Sequence, residues 1–175
     1  MISQKIDTAI REVPDFPKPG INFKDITTLL LDTSLSNEII DAFIERLKGK
    51  QIDAIVGVES RGFLFGFLLA NKMGVPFIPI RKVGKLPGET LKYKYDLEYG
   101  SAEVEVHKSD VKEGWNVVVH DDLLATGGTA CAASELIQQL GANVAAFAFV
   151  ISLDYLKGNE KLEKYSKEII SLKKY

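Results

Sequence analysis

An apolar run, Val117-Val118-Val119-His120, leads directly into Asp121-Asp122-Leu123-Leu124-Ala125-Thr126-Gly127-Gly128-Thr129, the stretch whose residue types are best suited to chemistry. Its glycines and threonines let backbone N–H groups converge on an anion at the start of a following helix, with hydroxyls as further donors. Ligands of open α/β sheets bind beyond the carboxyl ends of the strands, which is where this loop falls. Two carboxylates beside a phosphate would repel it unless they accept hydrogen bonds from sugar hydroxyls or face a divalent cation. A phosphorylated ribose meets both conditions. The loop lacks the Gly-Lys-Ser/Thr of a Walker motif, and the chain has no Gly-x-Gly-x-x-Gly fingerprint, so nucleoside-triphosphatase and dehydrogenase readings lose their best support.

Other residues could serve the same ligand. Glu59-Ser60-Arg61-Gly62 leaves a predicted strand and offers backbone donors with a guanidinium whose planar fork suits diphosphate oxygens. Arg81, Lys82, Lys85 and Lys92 cluster around Gly84, Pro87 and Gly88, a cationic segment expected to be mobile and able to close over an anion. Glu98 lies in a predicted hairpin, and Phe23, between Asn22 and Lys24, could stack on a flat ring. His120 is expected to fill the end of its strand rather than to do chemistry.

These groups need a scaffold, and its pattern is legible. Ile2, Ile6, Ala9, Ile10 and Val13 share one helical face up to Pro14, and prolines then force an ordered loop through residues 15–20. Ser36 can cap a second helix with Ile39, Ile40, Phe43, Ile44 and Leu47 inward. Strand, helix and strand follow at 52–58, 63–73 and 76–80, and again at 117–119, 129–140 and 144–151, giving two βαβ units and a parallel sheet. Period-two alternation over 91–99 and 102–107 predicts an antiparallel hairpin between the units. The lysine-rich tail after Leu156 reads as a solvated helix and an edge strand, without functional information.

Composition narrows the class. The chain has 175 residues, 46% hydrophobic, with 22 Lys and Arg against 24 Asp and Glu. That length suits one domain spanning residues 1–175, and the near-neutral balance argues against nucleic acid or a membrane surface held by a general basic field. The single cysteine, Cys131, excludes a disulfide framework, and the longest apolar stretch, 62–70, is about half a membrane span. A cytoplasmic protein is expected.

The stretch 121–129 after its Val-rich strand resembles the phosphoribosyl-pyrophosphate signature of type I phosphoribosyltransferases. Asp15-Phe16-Pro17-x-Pro19-Gly20, Val56-Gly57-Val58-Glu59-Ser60-Arg61-Gly62-Phe63, Arg81-Lys82-x-Gly84-Lys85-Leu86-Pro87-Gly88 and Leu97-Glu98-Tyr99-Gly100 are similar to segments of the adenine phosphoribosyltransferase family, in the family's order over residues 1–160. The resemblance implies the type I fold: a mainly parallel twisted sheet flanked by helices, a β-hairpin flexible hood and an N-terminal base-recognition segment. It implies purine salvage, with adenine and phosphoribosyl pyrophosphate giving AMP and pyrophosphate, with Mg2+ as cofactor and a homodimer as the assembly. By resemblance, Asp121, Asp122, Ala125, Thr126, Gly127, Gly128 and Thr129 hold the phosphoribosyl group. Glu59, Ser60, Arg61, Arg81, Lys82 and Lys85 hold pyrophosphate, with a non-proline cis peptide at Glu59-Ser60. Asn22, Phe23 and Lys24 cup the base, and Glu98 and Arg61 are catalytic, Glu98 handling the purine N7 proton. No protein ligand motif for Mg2+ is expected, because this ion keeps waters and binds through substrate oxygens. The family commonly has Arg at Lys24 and an apolar residue at Asn22. Transfer to hypoxanthine, guanine or xanthine therefore stays open, as does a non-catalytic sensor that keeps the cradle.

Overall fold

A computed structural model of the chain describes residues 1–97 and 100–175. Helix α1 (Ile2–Ala9) is followed by a short antiparallel ribbon, β1 (Arg11–Val13) with β2 (Phe23–Asp25), in which Val13 opposes Phe23. The predicted helical face therefore ends earlier than its apolar spacing suggests. Pro14 disfavours helical backbone at Val13, and the extended residue pairs with β2 instead. A 3-10 turn (Ile26–Leu31) leads into α2 (Thr33–Leu47). Its cap is Asp32, whose Oδ1 accepts the Leu35 N–H at 3.0 Å, and not Ser36, whose hydroxyl donates to the Leu29 carbonyl at 2.9 Å.

Two βαβ units then appear as expected: β3 (Ala54–Val58), α3 (Gly62–Met73) and β4 (Phe77–Lys82), and later β7 (Asn116–Leu124), α4 (Gly128–Gln139) and β8 (Asn143–Ser152). Between them lies the hairpin of β5 (Thr90–Asp96) and β6 (Ser101–His107); α5 (Gly158–Leu162) and β9 (Ile169–Lys174) complete the chain. Seven strands form one sheet in the order β5-β6-β4-β3-β7-β8-β9, parallel from β4 to β9 and antiparallel across the hairpin.

The central strand β3 is buried along its whole length, as strands covered on both faces must be. On one face Val56, Val58, Val117 and Val119 pack with Ala133, Leu136 and Ile137 of α4. On the other, Ile55, Val118 and Ala148 pack with Ile39, Phe43, Phe65 and Leu69 of α2 and α3. The two layers hold the carboxyl end of β3 beside the middle of β7, since Gly57 pairs with His120, and β7 runs on to Leu124. The tail is less solvated than its lysines suggest: Ile170 and Leu172 are buried on β9, the sheet's edge.

Candidate functional site

At the end of β7 the backbone turns through Ala125 and Thr126 into Gly127, which adopts φ +80° and starts α4. No side chain caps α4, so its first N–H groups remain available to an anion. The turn is tight against a second segment. A Cβ on Gly158 would lie 2.2 Å from the Ala125 carbonyl, and one on Gly127 would lie 2.8 Å from the Gly158 carbonyl. Only glycine at both positions lets these backbones approach so closely. The resulting cavity, about 190 Å³, is lined by Arg61, by residues 121–130 and by Phe149. The predicted phosphoribosyl residues are thus brought together around one space.

The two carboxylates in its wall differ. Asp121 Oδ1 accepts the Asp122 N–H at 2.8 Å, and burial, then the charge of Asp122, push its pKa well above the usual carboxylate range. Asp122 is 3% exposed. Its Oδ2 lies 3.1 Å from Arg61 Nε without an aligned hydrogen bond, which leaves an acceptor in the cavity wall. Arg61 precedes α3, and its guanidinium carbon is 5.5 Å from the centre of the Phe23 ring. One side chain therefore joins the cradle to the β1–β2 ribbon.

Glu59 and Ser60 occupy the turn from β3 to α3, joined by a cis peptide bond as expected. The Glu59 carboxylate faces β4: Arg81 Nη2 donates to it at 2.8 Å and the Lys82 N–H at 2.9 Å. The Arg81 hydrogen bond holds its pKa below the usual range against the effect of burial. Glu59 thus acts as a clamp on Arg81. Glu59, Arg81 and Lys82 line a smaller cavity of about 90 Å³ with Tyr95 and Thr129. Thr129 also lines the cradle, and the Tyr95 hydroxyl lies 3.3 Å from its Oγ1, so the hairpin sits against the start of α4. Lys85 is exposed and lines neither cavity; its carbonyl accepts from Arg81 Nη1 at 3.3 Å. Glu98 lies outside the described residues.

In the ribbon, Phe23 packs edge-on against Phe16, 5.2 Å between ring centres, and both line a cavity of about 420 Å³ with Val13, Asp25 and Thr27. Asn22 and Lys24 do not line it. Asn22 Nδ2 donates to Glu12 Oε2 at 2.9 Å, and Lys24 pairs with the other Glu12 oxygen while its ammonium stands 4.2 Å from the centre of the Tyr175 ring. The tail, unread for function in the sequence, thus reaches the base segment. Glu12, Tyr95, Gly158 and Tyr175 carried no local signal; each matters through a partner distant in the chain. A groove of about 440 Å³ between α1 and α2 holds none of the expected residues.

His120 is fully buried, edge-on to Phe43 at 5.6 Å, and neither ring nitrogen has a hydrogen-bond partner of good geometry. It fills core space rather than doing chemistry, but from the middle of β7 and not from a strand end, because β7 runs on to Leu124. Burial lowers its pKa to about 4 against a minor opposing pull from the Ala148 backbone. Among the described residues no helix is long and apolar enough to cross a membrane.

Residues 28–174 match the family described as the phosphoribosyl transferase domain. An adenine phosphoribosyltransferase of Clostridium botulinum is 54% identical over 166 residues, covering 95% of each chain. The crystal structure of adenine phosphoribosyltransferase from Thermoanaerobacter pseudethanolicus covers 100% of both chains at 49% identity with a TM-score of 0.95. That of the Saccharomyces cerevisiae enzyme, complexed with an imino-altritol bisphosphate and adenine, covers 98% of both at 44% identity and a TM-score of 0.91. A cradle, an acid pair and an aromatic ribbon in one fold, with likeness that runs the length of the sequence, lead to one conclusion: the chain belongs to the adenine phosphoribosyltransferase family.

Proposed function

We propose that this chain transfers the 5-phosphoribosyl group from phosphoribosyl pyrophosphate to adenine, releasing AMP and pyrophosphate in purine salvage. The observation that carries the reading is the position of Arg61, between Asp122 of the cradle and Phe23 of the ribbon, because it puts a sugar-phosphate site next to a flat apolar one.

In this reading the amides and hydroxyls of residues 125–129 hold the 5′-phosphate, and Asp121 and Asp122 accept the ribose hydroxyls. Asp122, with an acceptor left over in the cavity wall, suits a hydroxyl donor. Arg61, Arg81, Lys82 and Lys85 stabilise the charge on departing pyrophosphate, and Ser60 with Glu59 shapes the turn that presents them. Phe23 stacks on adenine, while Asn22 and Lys24, held by Glu12, fix the ribbon around it. Glu98 takes the proton that the base must lose as the anomeric carbon develops positive charge.

Mg2+ fits this site as a companion of the substrate: Asp121 and Asp122 are hard oxygen donors at the cavity, the donor type that this ion takes. Held there with the substrate, it would supply neutralisation of the diphosphate charge. The assembly we propose is a homodimer through α3, whose Leu64, Phe67 and Leu68 are 39%, 56% and 43% exposed. A reducing cytoplasm suits the unpaired Cys131.

The test is AMP formation from adenine, phosphoribosyl pyrophosphate and Mg2+ by the wild type and by Glu98→Gln. Turnover should fall by about one to three decades in the variant, with phosphoribosyl-pyrophosphate affinity little changed. Equal turnover removes Glu98 from the mechanism.

A further inference from the structure

Glu105 of β6 is 1% exposed, although strand alternation places it opposite the core residues Val104 and Val106. A buried carboxylate is costly unless donors surround it. Here one oxygen, Oε1, accepts the N–H groups of Gly84, Lys85 and Leu86 at 2.9, 3.0 and 2.9 Å, and Oε2 accepts the Thr90 hydroxyl at 3.0 Å. Desolvation alone would push its pKa up; the three amides and the hydroxyl outweigh it and keep the group ionised.

These donors all belong to the segment that carries the cations. Glu59 grips its start, through Arg81 and the Lys82 N–H, and Glu105 grips the turn that follows. His107, two residues along β6 from Glu105, meets the Pro87 carbonyl through Nε2 at 2.6 Å. The ammonium groups of Lys82 and Lys85 are exposed and form no ion pair among the described residues. The backbone is therefore pinned while two of its cations stay open to a ligand. A cationic turn expected to be mobile is preset at its base.

We propose that Glu105 is a positioning residue for the diphosphate end of the substrate: its carboxylate gathers the amides of residues 84–86 and so fixes where Lys82 and Lys85 stand. This rests on the reading of those cations as pyrophosphate ligands. The role is one of reach rather than of charge, because the donors it collects are neutral amides and a hydroxyl. Glutamine at 105 could still accept the three N–H groups and donate its amide to Thr90 Oγ1. Aspartate keeps the charge but draws it back by one methylene.

The experiment compares the wild type, Glu105→Asp and Glu105→Gln in both directions of the reaction, after confirming by circular dichroism that each folds. Glu105→Asp should raise the KM for pyrophosphate and for phosphoribosyl pyrophosphate about tenfold, with the KM for adenine and AMP within about twofold of wild type. Glu105→Gln should restore the diphosphate KM values to within about threefold. The proposal is overturned if Glu105→Asp leaves them unchanged, if all four KM values move together, or if Glu105→Gln is the worse variant. Should Glu105→Asp fail to fold, Glu105→Gln decides alone: KM values near wild type support reach, and a tenfold rise refutes it. A wild type without turnover would overturn the functional reading itself, whereas an active wild type with an indifferent Glu105→Asp overturns only the role of Glu105.

Discussion

The phosphate cradle and the base ribbon sit on either side of Arg61, yet they are built in opposite ways. The cradle is one contiguous stretch, 121–129, shaped by its own strand end, its own glycines and the helix it starts. From elsewhere come Arg61 and Phe149 in its wall and Gly158 against its turn. The ribbon is three residues paired with three, and its side chains are held by its own Glu12 and, from far away in the chain, by Arg61 and Tyr175. A site that binds an anion through backbone amides can be local, because turn and helix geometry supply the donors. A site that cups a flat ring needs walls, and walls come from whatever packs nearby.

Cradle and ribbon should respond differently to perturbations of graded size. His120 is buried in the sheet core against Phe43 of α2, so acid acts on the stability of the whole fold and should remove both regions together. Its pKa is about 4 in the folded chain against an ordinary 6.5, so the unfolded chain binds the extra proton between these values. Stability should fall as pH drops from about 6.5 to 4, by about 3 kcal/mol from this group, and His120→Val should flatten that limb in urea titrations. Gly158→Ala should strike the cradle alone. Its methyl would press on the Ala125 carbonyl, and overpacking of about 2 kcal/mol corresponds to roughly 30-fold weaker phosphoribosyl-pyrophosphate binding by calorimetry, with adenine KM unmoved. Asp122→Asn should cost about tenfold in the same affinity, by weakening an acceptor and its pairing with Arg61. Smallest is Tyr175→Ala, which should raise adenine KM about threefold through Lys24 and leave the cradle untouched. Equal effects of Gly158→Ala and Tyr175→Ala on both ligands would mean that the two regions are not separable.

The same contrast explains what could be read in the sequence. The βαβ units, the hairpin and the cradle were legible because their signals are periodicity and a contiguous motif. The N-terminal helix stops short of its apolar spacing, which continues into Val13, because pairing with Phe23 claims that residue. Glu59 could be found as a site residue, but its partner could not, since Arg81 stands 22 residues away on the neighbouring strand. Glu105 was invisible for the same reason: alternation on β6 marks it as solvent-facing, and the turn that buries it belongs to another part of the chain. Lys24, a departure from the family's habit, gains its sense only from Glu12 and Tyr175.

The most direct test of the account is pyrophosphate release from phosphoribosyl pyrophosphate and Mg2+ with adenine, hypoxanthine, guanine and xanthine offered separately. Release is expected with adenine, and background rates with the other three. Release with an oxopurine in place of adenine, or with no base at all, would contradict it.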